Sequence, residues 1–153
     1  MHTLPKYRPT PCVQPRRGAV SRRRSKPTNA ASRQRDEHTE QAALIRWAGL
    51  NACRLPALGL LYAIPNGGRR DAVTGARLKA EGVRAGVPDL CLPWPADGWH
   101  GLYIELKAMG GSASPEQRGW IGRLKSAGYR AEVCVGWEAA ARVLSDYLEG
   151  KRA

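Results

Sequence analysis

The 153-residue sequence predicts an α/β domain: a mixed sheet of about four strands flanked by helices. Three observations predict it. Segments with a helical period alternate with short apolar runs in the order α-β-α-β-β-α-β-α. Two of the runs are joined by a short stretch containing Asp97-Gly98, a good hairpin turn, which makes them antiparallel neighbours. Four amphipathic helices then supply the layers that cover the sheet.

The elements follow in order. "EHTEQAALIRWAGLNAC" reads as a helix with Glu40, Leu44, Trp47 and Asn51 on one stripe and Ala43, Ala48 and Leu50 beside it. "LGLLYAI" reads as a short apolar strand, stopped by Pro65 and the turn-forming "NGG". "TGARLKAEG" is a short helix with Gly82 as its terminator. "VPDLCLP" and "GLYIELKA" are the paired strands, separated by "WPADGWH", whose Trp99 and His100 are expected in solvent. "SPEQRGWIGRLKSAG" is a punctuated helix: Ser114 caps, Pro115 suits the first helical position and Gln117 completes a Ser-x-x-Gln box. Its apolar face is Trp120, Ile121 and Leu124. "YRAEVCVG" is a strand, and "WEAAARVLSDYLEG" is a last helix turning Ala140, Val143, Leu144, Tyr147 and Leu148 to the core.

Charge divides the chain. Residues 1–35 contain ten Lys or Arg, five Pro and no acid, whereas residues 36–153 hold fifteen bases against thirteen acids. The first segment buries too little apolar surface to offset its ordering entropy, so 1–35 is expected to be a disordered basic arm and 36–150 the folded domain. Such an arm suits polyphosphate, because each neutralised phosphate releases counterions; a merely solvated tail is the alternative. The basic start is followed by no apolar run of a signal peptide, and no stretch approaches the ~20 apolar residues of a spanning helix, so no membrane role is expected. Cys12, Cys53, Cys91 and Cys134 form no CxxC pair; disulfides and a zinc site are not expected, which suits a reducing cytoplasm.

Charge also sits where a buried strand should be apolar. Asp89 lies in "GVPDL" and Glu105 and Lys107 lie in "YIELK", both on the same side of their strand. Dry carboxylates and ammonium groups cost several kcal/mol each unless paired or ion-bound. An ion pair between Glu105 and Lys107 is one explanation, but it leaves Asp89 unexplained. A divalent cation removes the conflict, and two carboxylates with a backbone carbonyl form the hard oxygen set that suits Mg²⁺ or Mn²⁺.

Here the residues resemble a known pattern. Pro88-Asp89 followed by Glu105-x-Lys107 resembles the PD-(D/E)XK nucleases, and five elements in one order resemble their VRR-NUC branch in its stand-alone, phage-like form: Glu40 on a first helix, "PNGGRR", "GVRAGVPDL", "YIELKA" and "SPEQ". The resemblance spans about residues 37 to 149. It implies a restriction-endonuclease-like core, with Asp89, Glu105 and the Leu106 carbonyl as metal ligands and Lys107 facing the scissile phosphate or the attacking water. It further implies Glu40 as a metal ligand, directly or through water, with Glu37 one turn earlier as its rival. Gln117 is either a pure capping residue or a site contact. Asn66, Gly67, Arg69, Arg70 and Arg84 are implied DNA contacts, since glycines admit a close phosphate and Arg forks match its oxygens; an ordinary surface turn is the alternative for the loop.

The activity so implied is an Mg²⁺- or Mn²⁺-dependent endonuclease cutting DNA. Branched or junction DNA requires two cuts, so a homodimer is expected. The small stand-alone form suits a phage or prophage origin and a place in the cytoplasm of the host. The rival from another class is a non-catalytic nucleic-acid-binding protein on the same fold.

Overall fold

A computed structural model describes residues 36–65 and 72–150. Helix α1 (Glu37–Asn51) begins at Asp36, whose side chain accepts the Thr39 N–H at 2.8 Å. Its stripe of Glu40, Leu44 and Ala48 is buried, with Trp47 packed beside it, whereas Leu50 is exposed. Next, the expected strand "LGLLYAI" is mostly something else. Pro56–Leu60 forms a 3-10 helix and only Tyr62–Ala63 (β1) pairs in the sheet. Pro56 at the helix start carries a φ already suited to a helical turn, and this turn buries Ala57 and Leu58 against the body of the domain.

Helix α2 (Ala72–Ala80) is followed by Gly82 at φ +98°, the left-handed conformation that ends a helix cheaply only with glycine. Strand β2 is shorter than expected, Leu90–Leu92, so Asp89 stands just outside it. Strand β3 is Leu102–Lys107. Between them Asp97 and Gly98 both adopt positive φ, the twist of a tight hairpin turn, and Ala96 and Trp99 exchange backbone hydrogen bonds across it. Trp99 is not a solvent residue: with Trp94 and Ala96 it packs on the core, and buried Tyr147 holds this hairpin by donating to the Trp94 carbonyl and accepting from the Ala96 N–H. His100 is exposed and meets Tyr129 edge to face.

Helix α3 (Pro115–Ser126) is the crossover that lets β4 (Arg130–Val135) run parallel to β3, and α4 (Trp137–Glu149) closes the domain. The sheet order is β1-β2-β3-β4, with the first two pairings antiparallel and the last parallel. Alternation then sorts β3. Leu102, Ile104 and Leu106 join Leu90 and Leu92 in a core with Leu44 and Ala48 of α1 and Ala140, Leu144 and Tyr147 of α4. Tyr103, Glu105 and Lys107 take the opposite face. Cys91 and Cys134 are buried free thiols.

Candidate active site

Backbone alternation places the charged residues. Along β3 the Gly101 and Lys107 carbonyls accept from Arg130 and Gly136, so odd-numbered peptide groups face β4 and those of Leu106 face the other way. There β2 has not yet begun. The Asp89 side chain takes the place of a ladder partner, its Oδ2 accepting the Leu106 N–H at 2.9 Å, while its own carbonyl accepts from Ile64 at 2.7 Å. Asp89 is thereby fixed beside Leu106, whose carbonyl shares the direction of its N–H. Both residues line a cavity of about 500 Å³ with Glu37, His38, Gln41, Ala63, Ile64 and Pro65.

Glu105 is fully buried. Its Oε1 accepts from Lys107 Nζ at 2.8 Å and from the Gln117 side-chain amide. Its Oε2 is buried and accepts from no donor, and the Glu105 and Asp89 carboxyl groups lie close enough to share a proton. A buried, unsatisfied carboxylate oxygen is expensive, and the group responds. Burial pushes the Glu105 carboxyl up to about 7; the Lys107 hydrogen bond opposes this, and the neighbouring Asp89 charge adds to it. Burial also raises Asp89, against the Leu106 N–H and Lys107, which favour its charge. For Lys107, burial alone would lower the ammonium, but the hydrogen bonds it donates to Glu105 and Glu37 outweigh it and hold the group above its ordinary value. The lysine therefore stays charged, and the strain of the site falls on the carboxylate pair.

The two readings of Gln117 turn out to hold together. Its Oε1 accepts the Ser114 N–H at 2.7 Å and its own N–H donates to Ser114 Oγ, completing the capping box, while its side-chain nitrogen reaches Glu105. The cap fixes the amide so that its donor end faces the carboxylate.

The first helix sorts its two acids in a way the spacing left open. Glu40 is buried, but its Oε2 accepts the Trp137 N–H at 2.8 Å. It caps the start of α4, where Gly136 supplies no capping side chain. Glu37 instead reaches the site: its Oε1 accepts from Lys107 Nζ at 3.1 Å, and it lines the cavity with Asp89. Glu37 is thus the α1 carboxylate that meets the β3 charges. Arg84 is exposed in the loop before Asp89. Asn66, Gly67, Arg69 and Arg70 lie outside the described residues.

The donor set bears on a metal. Asp89, the Leu106 carbonyl and the Glu105 oxygen that no donor reaches are all hard oxygens, which fits a divalent cation of the Mg²⁺ type. Among the described residues no three His, Cys, Asp or Glu side chains converge as a full protein shell. Mg²⁺ does not need one, since it commonly keeps several waters and binds through one or two carboxylates.

Among the described residues, no helix is long and apolar enough to cross a membrane. A search among curated proteins finds no significant match. A solved structure of a "VRR_NUC domain protein" is similar over 76% of this chain and 91% of its own, with 28% identity and a TM-score of 0.64. It has the same α/β architecture. A family model of the VRR-NUC domain matches residues 30–138. With most of its length matched by that model and its fold shared with a solved member, the chain belongs to the VRR-NUC domain family, a family of nucleases.

Proposed function

We propose that this nuclease is a metal-dependent endonuclease that hydrolyses DNA phosphodiester bonds, with Mg²⁺ or Mn²⁺ held by Asp89, Glu105 and the Leu106 carbonyl. The observation that carries the reading is the buried Glu105 oxygen that no donor reaches, beside a second carboxylate. Two acids that burial drives toward neutrality are a poor structural device and a good ligand set. Bound there, the ion supplies a Lewis acid for the phosphoryl oxygen and lowers the pKa of its water.

The chain's own residues do the rest. Lys107 stays protonated and sets positive charge where the pentavalent phosphate gathers negative charge. Glu37 and Glu105 hold its ammonium from two sides. Gln117 orients Glu105 so that one oxygen is engaged and the other is left for the cation. Glu40 serves this site indirectly, by fixing α1 to the start of α4. Arg84 and, in the preceding loop, Asn66, Gly67, Arg69 and Arg70 contact the DNA backbone. Residues 1–35, which lie outside the described residues and hold ten Lys or Arg, add salt-sensitive affinity to the domain proposed for 36–150. Paired cuts on branched or junction DNA call for a homodimer.

The test is cleavage of junction, flap, single-stranded and duplex DNA in Mg²⁺, in Mn²⁺ and in EDTA. Metal-dependent internal cuts, strongest on the junction, are expected. Equal cutting of all four substrates removes the junction claim. Binding that persists in EDTA with no cleavage in either metal would instead make the protein a nucleic-acid-binding module.

A further inference from the structure

Helix α3 reaches the site through Gln117 and, through a residue that no chemistry requires, the segment that leads to Asp89. The Trp120 indole N–H donates to the Ala85 carbonyl at 2.9 Å. The Arg123 guanidinium lies over its ring, 4.5 Å from the ring centroid. At the neighbouring position Gly86 lies against the same helix. A Cβ there would stand 2.9 Å from both the carbonyl carbon and the Cβ of Glu116, and the residue has φ +79°. Contact this close, in this conformation, admits glycine alone.

The chain from Ala85 to Asp89 has little slack. Gly86 is held against α3, Val87 precedes a proline and is restricted to extended conformations, and Pro88 has a fixed φ and is fully buried. The hydrogen bond at Ala85 and the contact at Gly86 together tie this segment to α3, with only Val87 and Pro88 between them and Asp89. The same helix carries Gln117, which holds Glu105. One helix thus contacts Glu105 directly and holds the segment that leads to Asp89.

We infer that Trp120 is a positioning residue: through the Ala85 carbonyl and the Gly86–Glu116 contact it fixes the segment that aims Asp89 at Leu106, in register with the Gln117–Glu105 contact on the same helix. Its importance to metal binding rests on the ligand role proposed above for Asp89, but the positioning itself does not. Trp120→Phe removes the indole donor and keeps an aromatic ring on the helix.

The Leu106 amide reports on Asp89 directly, because its N–H is the donor to Asp89 Oδ2. In the full chain in EDTA, Trp120→Phe is expected to speed hydrogen exchange at Leu106 by about tenfold, the factor expected on losing one hydrogen bond's local protection. Ile104, two residues back on β3, is expected to keep its rate, and Ile121→Val on the same helix is expected to leave both amides unchanged. An unaltered Leu106 rate overturns the inference, as does equal acceleration at Leu106 and Ile104, which is general loosening. In a second measurement, Mn²⁺ affinity is expected to fall by about tenfold in Trp120→Phe, the usual scale for a residue supporting a ligand. If the unmodified chain binds no Mn²⁺, the metal reading fails, and the Leu106 amide still decides the role of Trp120.

Discussion

Removing the buried charge at position 105 should change how stability depends on pH. In the metal-free chain the Glu105 carboxyl is raised from 4.5 to about 7, chiefly by burial. An acid raised on folding binds its proton more tightly in the folded state, so its contribution is fully present below about 4.5 and is lost as pH climbs to about 7. At about 1.4 kcal/mol per pH unit the ceiling is roughly 3 kcal/mol, and water entering the cavity brings the expected loss to about 1–3 kcal/mol. Asp89 is raised as well and acts in the same sense. Lys107 is raised from 10.5, so its stabilisation is constant across this window and is lost only at higher pH. The assay is urea denaturation in EDTA from about pH 5 to about pH 8, comparing the unmodified chain with Glu105→Gln. The difference between the two proteins isolates the site from every other titrating group. The unmodified chain should weaken across the window, and the variant should weaken much less. Saturating Mg²⁺ should flatten the unmodified chain's profile and leave the variant's nearly as it was. Parallel profiles for the two proteins in EDTA would refute the claim that Glu105 is ionised at a cost.

Other perturbations separate the roles of neighbouring residues. Lys107→Ala should lower the cleavage rate by at least about 10²-fold, because a fixed charge beside the phosphate is lost while the apolar core is untouched; single-turnover rates in Mg²⁺ check it. Glu40→Ala should cost about 1–2 kcal/mol by urea denaturation, as other lost helix caps do, yet leave Mn²⁺ affinity unchanged in titration. Glu37→Gln should do the reverse, with little effect on stability and a clear fall in cleavage, since it removes one of the carboxylates holding the Lys107 ammonium. Deleting residues 1–35 should weaken DNA binding and reduce the slope of log affinity against log salt without changing the chemistry; filter binding across a salt series reads both.

The parts of the site that were legible in the sequence were those in which local order contradicts burial. Asp89, Glu105 and Lys107 stood out because charge inside apolar strand-like runs has few bland explanations. The Ser114–Gln117 box and the Asp97-Gly98 turn were legible because their chemistry is complete within four residues. What stayed hidden depends on distant partners. Glu37 and Glu40 lie one turn apart on the same helix, and nothing local says which of them meets β3. Glu40's partner is 97 residues away, and the only signal was the lack of a capping side chain at Gly136. "LGLLYAI" has strand composition, yet Pro56 starts a 3-10 turn whose Leu58 the core takes up. Trp120 read as an ordinary apolar-face residue because its hydrogen bond reaches back 35 residues. The strand after Pro88 is shorter than its composition predicts for the same reason. A side chain supplies the ladder bond that a backbone group was expected to make.

The most direct measurement is the anomalous scattering of a crystal of this chain soaked in Mn²⁺. One peak is expected about 2.0–2.4 Å from carboxylate oxygens of both Asp89 and Glu105 and from the Leu106 carbonyl, with water completing the shell. A map with the Glu105 oxygen still without a donor and manganese absent, or bound only at surface acids, would contradict the account.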